Sequence, residues 1–84
     1  MLYLVELTWV TYTKDGFISS KDATISVFRT EGEAINKLDE LFHLFYLKGD
    51  DYLRTLQNFK IISKCPTGKT IYRGRVSQFD VDID

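Results

Sequence analysis

The chain holds one cysteine, one proline, one histidine, one tryptophan and one methionine in 84 residues. Each scarcity closes off a class of protein. With Cys65 alone, an intrachain disulfide cannot form and a stapled secreted scaffold is excluded, so a reducing cytoplasm is the expected setting. One histidine, His43, set among Phe42, Leu44 and Phe45, leaves general acid–base chemistry without a partner. No paired nucleophile or close carboxylate pair replaces it, so a non-enzymatic protein is expected, with no cofactor. The opening "MLYLVELTWV" is interrupted by Glu6 and has no basic leader. It reads as neither a signal peptide nor a membrane span. No repeat, linker or low-complexity tract divides the chain, so residues 1–84 are expected to form a single α+β domain.

Charge of one sign is also lacking. The net charge of −1 selects neither nucleic acid nor membrane. The distribution is uneven, however: residues 29–54 carry four cations and six acids, while 55–84 carry five cations and three acids.

What the chain has in quantity is apolar and aromatic residues, 44% and 14% of the total, which argues against disorder. Residues 2–13, "LYLVELTWVTYT", are β-branched and aromatic as a strand requires. "KDG" at 14–16 fits a three-residue hairpin loop closed by a left-handed glycine. That loop sets Thr13 against Phe17, Leu7 against Ala23, Val5 against Ile25 and Tyr3 against Val27, with irregularity expected in "ISSKD". "TEGE" at 30–33 is a capping box, opening a helix expected to run to about Lys48 with Gly49 after its end. Ala34, Leu38, Leu41, Phe42 and Phe45 form its buried stripe. Its end, "LFHLFYL", is apolar nearly all round, and "DDYLRTLQ" at 50–57 is read as a short second helix covering it.

"NFKIISKC" and "KTIYRGRVSQFDVDID" read as a second hairpin about "PTG". Pairing Phe59 with Val76, Ser63 with Tyr72 and Cys65 with Thr70 separates apolar from charged residues. It turns Tyr72 inward and collects Lys60, Ile62, Lys64, Ile71, Arg73 and Arg75 on the other face. A bulge near Ser77–Gln78 would keep Phe79, Val81 and Ile83 in phase. The fold expected is thus β-β-α-(α)-β-β: a four-stranded antiparallel sheet with one main helix and a short second helix on one face. Two strand orders keep all neighbours antiparallel: 2-1-3-4, or 2-1-4-3 if the second helix reverses the chain.

Three motifs are decoys. "PTGKT" resembles the tail of a phosphate-binding loop, but Ser63 stands where the first glycine belongs and a strand follows in place of a helix. "GDD" at 49–51 is a glycine helix stop and an aspartate cap. Asp80, Asp82 and Asp84 alternate on one strand at spacings of about 6.6–6.8 Å, too loose by themselves for a cation. No metal site is expected, and a solvated acidic edge is the better reading.

If the helices cover the odd-numbered face of the first strand, its even face stays open. That face would carry Leu2, Leu4, Glu6, Val10 and Tyr12, joined by Ile18, Phe28 and the basic residues of the last hairpin. The expected function is a protein-binding module engaging an acidic surface on its partner. Tyr12, Phe28, Lys60, Ile62, Lys64, Lys69, Ile71, Arg73 and Arg75 are its candidate contact residues. Size and missing chemistry suit an inhibitor from a phage or mobile element, such as an anti-CRISPR-type blocker of a host defence or replication protein. The alternative is a nucleic-acid-binding sheet gripping phosphates with Lys60, Lys64, Arg73 and Arg75. Against it stand the negative net charge and the acids expected on the same face. A homodimer through Leu44, Tyr46 and Leu47, or through the open sheet face, is a further way to cover exposed apolar surface.

Overall fold

The computed structural model describes residues 1–80. The chain runs β1 (Leu2–Thr13), β2 (Ile18–Phe28), α1 (Glu31–Tyr46), β3 (Asp51–Arg54), β4 (Asn58–Cys65) and β5 (Gly68–Phe79). It is an α+β domain with one helix on one face of a five-stranded antiparallel sheet, in the order β2-β1-β5-β4-β3. The long strands keep the second of the two anticipated orders, with the last strand beside the first. The sheet has five strands where four were expected, because "DDYLRTLQ" forms edge strand β3 and not a second helix. The side-chain period there is two. Tyr52 points to the helix side against Phe42 and Tyr46, while Leu53 points to the opposite face beside Lys60.

The first turn forms as expected. The Thr13 N–H donates to the Phe17 carbonyl across a three-residue loop, and Gly16 takes a φ of +91°. The stretch "ISSKD" pairs without interruption, and Leu7 meets Ala23. The irregularity lies farther along: Val5 pairs with Ser26 and Glu6 with Thr24, leaving Ile25 as the extra residue of a β-bulge. One inserted residue flips every side chain beyond it. Tyr3 therefore faces Phe28 instead of Val27, and Phe28 turns to the helix side, where it packs against the core. The larger side chain is covered and Val27, the smaller, is left 52% exposed.

Thr30 caps α1, its hydroxyl oxygen accepting from the Glu33 N–H at 3.3 Å while the hydroxyl donates to Glu33 Oε1 at 2.8 Å. The carboxylate is thus held by the Thr30 side chain. The helix ends at Tyr46, capped by Leu47. Gly49 is not the left-handed stop anticipated. It is small because a Cβ there would lie 2.4 Å from Ile61 Cγ2. Val5, Leu7, Ala34, Leu38, Leu41, Phe42, Phe59 and Ile61 form the core between helix and sheet, and Phe45 stacks on Tyr72 at 4.7 Å.

The second hairpin keeps the expected faces but slides by two residues. Its loop is Pro66–Thr67, so Cys65 pairs with Gly68, Ser63 with Thr70, Ile61 with Tyr72 and Phe59 with Gly74. Gly74 explains the register: a Cβ there would sit 2.2 Å from the Phe59 ring, which therefore lies across bare backbone. β5 pairs with β1 without a break from Gly68 to Phe79, so no bulge forms at Ser77–Gln78. Phe79 consequently stays on the side away from the helix, 58% exposed. Val81 and Ile83 lie outside the described residues.

Candidate functional site

The sheet outruns its helix. Sixteen helical residues span about 24 Å, and a twelve-residue strand about 40 Å. Beyond the helix, the two hairpin turns are joined by a hydrogen bond from the Lys14 N–H to the Thr67 carbonyl at 3.0 Å. Gly68 backs directly onto Tyr12, where a Cβ would lie 1.9 Å from the Tyr12 carbonyl oxygen. The polar pair Thr11 and Thr70, with hydroxyls 3.2 Å apart, occupies this uncovered stretch of the helix side.

The face away from the helix is where most of the anticipated contact residues meet. β4 and β5 form a ladder of rungs there: Asn58 opposite Arg75, Lys60 opposite Arg73, Ile62 opposite Ile71 and Lys64 opposite Lys69. Each cation was expected on this face, but the partners differ by the two-residue slide. Tyr12 lies at the same end as Lys69, whose Nζ stands 5.5 Å above the Tyr12 ring centre. Ile71 is buried between Val10 and Ile62, and Ile62 is half-buried. Phe28 does not join them. The bulge at Ile25 places it on the opposite side of the sheet, partly buried against the core.

The ladder opens into a concavity of about 580 Å³. Lys60, Arg73 and Arg75 supply its charge, Leu53 and Thr8 its sides, and the Thr55–Asn58 turn its end. Sequence reasoning missed Leu53, Thr8, Thr55 and Asn58. The alternation Asp51/Leu53 against Tyr52/Arg54 was the signal for the first of these, concealed by the capping aspartates before it. Of the acids expected on this face, one restrains the basic patch. Glu6 does so, accepting from Arg75 Nη2 at 3.4 Å and from the Ser77 hydroxyl. Asp80 is exposed just past β5, and Asp82 and Asp84 lie outside the described residues. Among the described residues, neither Lys60, Lys64, Lys69 nor Arg73 has a carboxylate within ion-pairing distance. Arg54, by contrast, is fully engaged on the helix side by Asp39 and the Phe42 ring.

His43 is exposed, with Nδ1 2.8 Å from the Asp39 carbonyl oxygen. The Cys65 thiol is pulled below the ordinary thiol range by the Thr67 hydroxyl, helped by the Thr67 and Gly68 backbone. No group of three or more His, Cys, Asp or Glu side chains suited to a metal occurs among the described residues. No helix among them is long and apolar enough to cross a membrane.

Fold and site together define a small α+β domain with a helix-covered face and an uncovered, cation-bearing one. No protein-family model matches the sequence, and no curated protein or solved structure matches it.

Proposed function

We propose that this chain is a non-enzymatic protein-binding module that receives an acidic surface of its partner on the open sheet face and the basic last hairpin. One observation carries the reading: a 580 Å³ concavity with Lys60, Arg73 and Arg75 on its wall and Leu53 beside them. Apolar floor with cationic rim is the composition of a contact site whose arginines anchor and whose charge steers. A cytoplasmic blocker of a host defence or replication enzyme, carried by a phage or mobile element, is the role that small size and absent catalytic groups suit.

Affinity capture from source cells, with nuclease treatment and mass spectrometry, tests it. The expected result is one protein recovered stoichiometrically after nuclease and lost from the Arg73→Glu/Arg75→Glu variant. Capture that disappears with nuclease, with affinity falling steeply as salt rises, would establish the nucleic-acid alternative instead.

A further inference from the structure

The rungs of the β4–β5 ladder have an order as well as a charge. Lys60 faces Arg73 directly, and Lys64 faces Lys69 directly. Like charges on opposed strand positions repel, and this sheet has two such rungs on one face. An anion resting on each rung would convert repulsion into attraction. Between them lies the apolar rung Ile62·Ile71.

Successive rungs are two residues apart, about 6.7 Å, so the two cationic rungs stand about 13 Å apart. That separation decides what shape of ligand fits. Carboxylates four residues apart on a helix are separated by only about 6 Å along its axis. Four residues apart on an extended chain they are separated by about 13 Å, with the residue between them on the same face. The middle position is specified too. A recess of about 150 Å³ opens beside it, lined by Leu53, Ile62, Lys60, Tyr52 and Asp51. Asp51 pairs with Ile62, so its carboxylate borders the recess and opposes an anion there. A phosphate backbone carries a charge at every nucleotide, including the one that would fall on this rung.

Building on the protein-binding function proposed above, we infer that the β4–β5 ladder binds an extended segment of the partner with the pattern acidic-x-apolar-x-acidic. One carboxylate rests on Lys60 and Arg73, the other on Lys64 and Lys69. The apolar side chain enters the recess between Leu53 and Ile62. The order of the segment's side chains, beyond its charge, carries the recognition.

Fluorescence anisotropy with labelled synthetic peptides tests this. The probe is Ser-Glu-Ser-Leu-Ser-Glu-Ser; its control, Ser-Glu-Glu-Leu-Ser-Ser-Ser, has the same composition in another order, and an oligothymidylate of equal charge is the third ligand. The ordered peptide is expected to bind about tenfold tighter than the reordered one. Lys64→Glu, and separately Lys60→Gln, should remove most of that difference, with circular dichroism confirming an unchanged fold. Equal affinity for both peptides, no binding of either, or tighter binding of the oligothymidylate overturns the inference. If both peptides bind alike while Arg73→Glu/Arg75→Glu still releases the captured protein, the pattern is wrong and the protein-binding function stands. If that variant retains the captured protein, the basic-face function itself falls.

Discussion

Single atoms decide several positions in this chain, and glycines show it most sharply. A Cβ on Gly68 would lie 1.9 Å from the Tyr12 carbonyl oxygen, with φ at +154° besides, and one on Gly74 would lie 2.2 Å from the Phe59 ring. Gly32, in the first turn of α1, has open space around it. Gly68→Ala and Gly74→Ala should therefore each destabilise by about 2–4 kcal/mol. Gly32→Ala should be neutral or stabilise by up to about 1 kcal/mol. Urea unfolding midpoints check the set, and equal losses at all three would refute the close-approach account. The Cys65 thiol gives a second residue-scale prediction. Its thiolate is favoured first by the Thr67 hydroxyl, so Thr67→Val should raise the thiol's pKa and slow alkylation by iodoacetamide near neutral pH. An unchanged rate would remove that hydroxyl from the account. Asp15 shows the same effect on a carboxyl: the Thr13 hydroxyl, followed by local backbone N–H groups, holds it below the ordinary range. A depressed carboxyl stabilises the turn above its unfolded pKa, and the contribution disappears as pH falls through the lower native value.

Elements follow from local patterns where the pattern is self-contained, and fail to where pairing decides. The capping box "TEGE", the "KDG" loop and the Ala34–Leu38–Phe42 stripe were legible because each is complete within a few neighbours. The bulge at Ile25 was not, because its cause is distant: it brings Phe28, and not Val27, under the helix. Phe28 was consequently assigned to the wrong face, while every basic contact residue was assigned to the right one. Face survives a two-residue slide and does not survive a one-residue insertion. The slide itself had a signal, since Pro66 and Gly68 occupy the second and fourth positions of a turn spanning 65–68, and glycine opposite Phe59 relieves the crowding. Strand β3 was hidden by its brevity, four residues beginning at the second of two aspartates. It is an edge strand whose anchor on the helix side is Tyr52, packed edge-on against Phe42 and Tyr46 at 5.6 and 4.9 Å. Tyr52 is 49% exposed, so Tyr52→Ala should cost only about 1–2 kcal/mol overall. Its amide exchange signature is more specific: β3 should lose protection while β1 and β5 keep theirs. Uniform loss across the sheet would show that β3 is part of the main cooperative unit.

For the whole molecule, two uncovered apolar regions are candidate surfaces for contact with another copy of the chain. Leu44 and Leu47 at the end of α1 are 61% and 86% exposed, beside a hollow of about 460 Å³ that Lys37, Glu40 and His43 also line. The sheet's open face carries Leu4, Val10, Tyr12 and Val27, with the cationic ladder alongside. Charge separates the two. Two open faces brought together would oppose Lys60, Lys64, Lys69, Arg73 and Arg75 with the same five cations, a repulsion that favours a different, acidic occupant. The helix end has both signs, Lys37 and Glu40, and a two-fold axis there can set each against its opposite in the other copy. Self-association is therefore expected through the helix end, leaving the ladder available. In light scattering across a concentration series, Leu44→Lys/Leu47→Lys should hold the protein at monomer mass without changing its affinity for the acidic peptide. Val10→Lys, on the open face, should leave the mass of the parent protein unchanged. The reverse pattern, with Val10→Lys alone giving a monomer, would show that the sheet face is the dimer surface and that its cations are buried against a second copy.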